Sequence, residues 1–86
     1  MTVLFYGNVL ELTEGERSFE AGNCSNVRDL ITKLGARFGG RFHEYLLGSE
    51  TCFFLVNGKG IMMTGGLDTE LQGSDRIEVL PFTEAG

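Results

Sequence analysis

The chain has 86 residues, 42% of them apolar and 22% charged, with a net charge of −5. That length holds one domain with one modest core, and the apolar content is enough to fold it, so a second domain and a disordered chain are both excluded. The acidic balance disfavours a broad phosphate-binding surface, which needs clustered Lys and Arg, and suits a basic protein partner better.

The opening stretch, residues 2–6, alternates Val3 and Phe5 on one face with Leu4 and Tyr6 on the other, which predicts a first strand. It carries no basic lead or long apolar stretch of the kind that starts a signal peptide, so a cytoplasmic location is expected. Residues 7–12 run on into a turn, and residues 13–16 supply turn chemistry before a second strand at 17–21, which completes a hairpin. Ser25 and Asn26 then offer capping oxygens, with Asp29 three residues after Asn26. A helix follows: Val27, Leu30, Ile31, Leu34 and Phe38 recur at helical spacing, with Arg28, Asp29, Lys33 and Arg37 opposite. Gly39 and Gly40 break it, and residues 41–47 form a shorter helical piece with Phe42, Tyr45 and Leu46 turned inward.

Cys52–Val56 is the longest apolar run, far short of the roughly 20 residues that cross a bilayer, and it predicts a central strand covered by the helix. Asn57 and Gly58 close it with a tight turn, and residues 61–64 are expected as a short return strand. Leu67 and Leu71 anchor a single turn, residues 72–75 make another, and residues 76–82 form the last strand. Along it Ile77, Val79 and Pro81 share one face, while Arg76, Glu78, Leu80 and Phe82 share the other. Thr83, Glu84, Ala85 and Gly86 have nothing to pack against and are expected to project as a flexible tail. The order predicts an α+β chain of the β-grasp plan over residues 1–82: a mixed sheet of four to five strands packed on one main helix, with the first and last strands parallel at its middle.

Residues that carry chemistry are few. Cys24 and Cys52 are too far apart in sequence for a disulfide framework or zinc site and read as buried, reduced thiols, Cys52 at the start of a core strand. His43, the only histidine, reads as a surface residue, and no Ser-His-Asp, Cys-His or paired-carboxylate arrangement stands out. The stretch from Gly60 to Gly65 has phosphate-loop spacing, but Gly66 and Leu67 follow where Lys and Ser or Thr are needed, so it is not a nucleotide site. Leu80 and Phe82 are either edge-of-core residues or, with Tyr6 and Met62 or Met63, an apolar docking patch.

Four segments together resemble the MoaD/ThiS sulfur-carrier family, and most nearly the small subunit of molybdopterin synthase. They are Val3-Leu4-Phe5-Tyr6-Gly7 with Leu10-Glu11-Leu12, Asn26-Val27-Arg28-Asp29-Leu30, Phe54-Leu55-Val56-Asn57-Gly58-Lys59, and Gly66-Leu67-Asp68-Thr69-Glu70-Leu71 leading to Gly73-Ser74-Asp75-Arg76-Ile77-Glu78-Val79-Leu80-Pro81. Each alone is weak; in order and in register over nearly the whole chain they are specific. The resemblance implies a ubiquitin-like fold and a non-catalytic carrier that is itself a cosubstrate. Gly86 would be adenylated by an ATP-using partner related to ubiquitin-activating enzymes and converted to a thiocarboxylate with sulfur from a sulfurtransferase. The sulfur would then pass to a pterin on a large molybdopterin synthase subunit, with no cofactor bound by the carrier. The implied partner surface comprises Leu80, Pro81, Phe82, Thr83, Glu84 and Ala85, with Lys59 as a minor candidate beside its default as a solvated side chain. Family tails end in Gly-Gly and carry a second proline, where this chain has Ala85 before Gly86 and Phe82 after Pro81. A thiamine-type carrier, a protein modifier forming isopeptide bonds through Gly86, and a non-chemical interaction module remain alternatives.

Overall fold

The alternation of Val3 and Phe5 with more polar neighbours becomes the first strand, β1 (Thr2–Phe5), in the computed structural model, which describes residues 1–48 and 51–82. A 3₁₀ turn over Gly7–Glu11 buries Val9 and leads to β2 (Ser18–Glu20), antiparallel to β1. The stretch at 7–12, read as a plain turn, is therefore a short helical element. Its reason is that Val9 must reach the core, where it is fully buried, four residues past the end of a strand.

The main helix, α1 (Val27–Phe38), starts where its caps say it should. Asn26 Oδ1 accepts a hydrogen bond from the Asp29 N–H at 2.8 Å, and Asp29 Oδ2 accepts one from the Ser25 N–H at 3.1 Å. Gly39, at φ 110°, ends α1 and starts α2 (Gly40–Leu47), whose Phe42 and Leu46 are buried. The two helices touch at Gly35, where a Cβ would stand 2.7 Å from His43 Cδ2 and 2.8 Å from His43 Cβ. His43 is thus a half-buried packing residue at the helix junction, correcting its reading as a surface side chain.

Three strands complete the sheet: β3 (Cys52–Val56), β4 (Lys59–Gly60) and β5 (Arg76–Pro81). The order is β2-β1-β5-β3-β4, with β1 and β5 parallel at the middle in the register Val3 to Ile77 and Phe5 to Val79. All other pairings are antiparallel. Val3, Phe5, Phe54, Ile77 and Val79 face the helices and meet Val27, Leu30, Ile31 and Leu34 of α1. Phe5 packs edge-on against Phe38 and Phe42, with ring centroids 5.6 and 5.8 Å apart.

Two strand expectations change. β3 is not buried on both faces: Phe54 is buried but Phe53 is 46% exposed, because only one side of the sheet is covered by helices. The return strand is Lys59–Gly60, directly after the Asn57-Gly58 turn with both residues at positive φ, and residues 61–63 instead form a 3₁₀ turn. Ile61 is drawn into the core there. Its carbonyl accepts hydrogen bonds from the Thr64 N–H (2.9 Å) and Thr64 Oγ1 (3.3 Å), bonds a ladder would otherwise have made. No described helix is long and apolar enough to cross a membrane.

Candidate functional site

The last strand carries the chain from the middle of the sheet to its rim, and the exit is pinned on both sides. Pro81 lies opposite Cys52, and the Phe82 N–H donates to the Thr51 carbonyl at 3.0 Å. That carbonyl also accepts from the Tyr45 hydroxyl at 2.9 Å, while the Thr51 hydroxyl donates to the Tyr45 carbonyl, so the exit is tied to α2. Burial pushes the Tyr45 phenol up from its ordinary value.

On the face away from the helices, Leu80 lies opposite Phe53, and the Phe53 and Phe82 rings pack with centroids 4.9 Å apart. Both rings are nearly half exposed, at 46% and 44%. Farther along the same face Tyr6 donates to Glu78 Oε2 at 2.9 Å, and Arg76 stands 3.8 Å from that oxygen. The face therefore grades from apolar at the exit to polar at the other end. Of the side chains expected beside Leu80 and Phe82, Tyr6 belongs to this face through Glu78. Met62 lines a cleft with Phe82, and both Met62 and Met63 stand almost fully exposed.

Lys59 sits elsewhere. It pairs with Val56, at the far end of β3 from the Cys52 to Pro81 contact, and borders a recess with Asp68, Glu70 and Asp75. Thr83, Glu84, Ala85 and Gly86 lie outside the described residues. The aromatic that the sequence reading missed is Phe53. Its signal was available, since antiparallel pairing with Phe54 inward forces Phe53 outward beside Leu80.

The described residues hold no cluster of His, Cys, Asp and Glu able to bind a metal ion. Burial pushes both thiols up, Cys24 against the opposing pull of the Lys33 ammonium and Cys52 against the nearby Thr51 hydroxyl, so neither is an activated thiolate. What this geometry offers is an apolar platform at a fixed exit, a surface to which a partner can dock.

Comparison with known proteins bears on the family. A search of curated proteins finds no match. Among solved structures, the chain is similar to one in the BexX/CysO complex of Amycolatopsis orientalis, with 25% identity, a TM-score of 0.82, and coverage of 99% of this chain and 98% of that one. CysO of Mycobacterium tuberculosis is 22% identical with a TM-score of 0.80, over 95% and 98% of the two chains. The small archaeal modifier protein 1 of Methanosarcina acetivorans is 25% identical with a TM-score of 0.76, over 99% and 94%. The ThiS family profile matches residues 3–84. The chain belongs to the ThiS family, a group of ubiquitin-like sulfur carriers and modifiers on the β-grasp fold.

Proposed function

We propose that this chain is a sulfur-carrying cosubstrate whose Gly86 carboxylate is activated and then bears the sulfur. A carboxylate is a poor electrophile, so an ATP-using partner first converts it to an acyl adenylate, releasing pyrophosphate. The terminal sulfur of a sulfurtransferase persulfide displaces AMP, and a thiol cleaves the resulting acyl disulfide, leaving a thiocarboxylate and a protein disulfide. The sulfur of that thiocarboxylate is the nucleophile delivered to the acceptor. The acceptor we favour is a pterin precursor on a large molybdopterin synthase subunit, on the strength of the four sequence segments in register.

The observation that carries this reading is the pinned exit of β5 beside the exposed Phe53-Phe82 pair, which gives a partner something to grip next to the point where the described chain leaves the sheet. Incubation with an activating enzyme, ATP and a sulfur donor is expected to replace one terminal oxygen by sulfur in the intact mass; Phe82→Ser is expected to slow this without lowering thermal stability. Absence of sulfur incorporation with every candidate activating enzyme overturns the reading. Ala85→Gly is expected to speed adenylation, since a glycine backbone threads a narrow channel more easily.

A second reading, as a modifier joined to lysines through Gly86, is supported by the similarity to the archaeal small modifier protein. High-mass conjugates that vanish when Gly86 is deleted would favour it over the carrier.

A further inference from the structure

The outer side of β3 is only half covered. β4 pairs with Leu55 and Val56 through Gly60 and Lys59, the chain then turns inward at Ile61, and among the described residues no strand lies beside Cys52, Phe53 or Phe54. Strand residues alternate the neighbour to which they direct their N–H and C=O groups. The bonds from the Phe82 N–H to the Thr51 carbonyl and from the Asn57 N–H to the Arg76 carbonyl show that odd-numbered residues here bond toward β5. Cys52 therefore aims both of its backbone groups at the open side and Phe54 its N–H, while the Phe54 carbonyl faces Ile61 through the Leu55 to Gly60 register.

A cleft of about 380 Å³ borders that side, and its two walls belong to opposite faces of the sheet. Leu46, Phe54, Ile61 and Leu67 form the wall on the helix side, and Phe53 and Phe82 the other. At its mouth stand Leu47 and Met62, 46% and 88% exposed. A helix or an acyl chain would fill one wall and leave the strand edge unpaired. An extended peptide satisfies both: its backbone continues the ladder and its side chains alternate between the two walls. The other edge strand, β2, instead presents Ser18 and Glu20 to solvent beside Arg17, polar groups that discourage an added apolar strand.

We propose that the open edge of β3 is a strand-addition site for an extended segment of a partner protein, largely apolar on both of its faces, pairing with Cys52, Phe53 and Phe54. The net charge of −5 favours a segment flanked by Lys or Arg. Because Phe82 forms part of one wall, the added strand lies next to the point where the chain leaves the sheet. The site is independent of the chemistry at Gly86 and would serve a carrier and a modifier alike.

The test uses the full ¹⁵N-labelled chain and a blocked peptide, acetyl-KVTVIVK-amide, with an analogue N-methylated at alternate backbone nitrogens. At saturating peptide, hydrogen exchange at the Cys52 and Phe54 amides is expected to slow by about tenfold or more, the methylated analogue is expected to cause no such slowing, and Leu47→Glu is expected to weaken binding by about tenfold. Met62→Glu, at a nearly fully exposed position, repeats the charge test if Leu47→Glu does not fold. Ser18→Glu, on the opposite edge, is expected to leave binding unchanged. Four results would each overturn the proposal: no binding at millimolar peptide, binding without protection of those two amides, binding weakened by Ser18→Glu but not by either mouth variant, or self-association of the chain through this edge in sedimentation equilibrium.

Discussion

The contact between α1 and α2 gives the sharpest test of the packing, because it reverses the sign of a familiar substitution. Replacing glycine by alanine inside an exposed stretch of helix stabilises it by about 1 kcal/mol. At Gly35 the new methyl would stand 2.7 Å from His43 Cδ2 and 2.8 Å from His43 Cβ. The imidazole can rotate away, but Cβ is fixed to the α2 backbone, so the whole helix must yield. Overpacking of this kind costs roughly 1–3 kcal/mol. Gly35→Ala is therefore expected to destabilise the chain by a net ~1 kcal/mol, which for a domain of this size lowers the Tm by about 4–8 °C. Urea and thermal unfolding of four chains close the argument: wild type, Gly35→Ala, His43→Gly and the double variant. With His43→Gly the methyl finds room, and Gly35→Ala is then expected to stabilise by about 1 kcal/mol, a coupling of roughly 1–3 kcal/mol between the two sites. If Gly35→Ala stabilises the wild-type background by the same amount, the helices do not meet as described.

Two further measurements probe the frame around the exit. Asn26→Ala removes the oxygen that accepts from the Asp29 N–H, and the urea midpoint is expected to fall by an amount equivalent to about 1 kcal/mol. The Cys52 thiol binds its proton more tightly in the folded chain than in the unfolded one, because burial raises its pKa above the ordinary 9.0. That preference is complete below about pH 9 and is lost as pH rises through the folded value, so stability is expected to decline on the alkaline side, and Cys52→Ala to remove part of the decline. A decline identical in both chains would mean that Cys52 contributes nothing to it.

Elements whose periodicity and caps agreed were legible from sequence. α1 has five apolar residues at helical spacing and a side-chain cap at Asn26, and its start and end fall where those signals put them. β1 and β5 alternate cleanly, and their parallel pairing followed from the need to bury both apolar sets at once. The losses came where a residue's fate depends on what lies across from it. Phe53 and Phe54 are the same residue type in adjacent positions, and only the pairing with Leu80 and Val79 decides that one faces solvent and the other the core. Ile61 looked like a strand residue because it is β-branched and follows a hairpin turn; hydroxyls of Thr64 and Thr69 cap a different backbone path, and nothing local to Ile61 announces them. For His43 the missing information was Gly35, eight residues earlier, whose absent side chain makes room for it. At the site, Leu80, Pro81 and Phe82 were proposed from register with a family, whereas the open edge of β3 is a property of where β4 stops.

The place of β5 in the sheet has a consequence for how the chain comes to be made. Without it, β1 with β2 and β3 with β4 are two separate hairpins with no common neighbour, and the apolar faces of both would stand open to water. Isolated hairpins are marginal in water. Pairing that spans most of the sequence also slows folding, because the loop must close before any contact rewards it. During synthesis, then, the chain stays unfinished until residues 76–81 have left the ribosome, and the sheet closes in a late, concerted step. Any partner that recognises the folded sheet consequently meets only chains whose synthesis has passed Pro81.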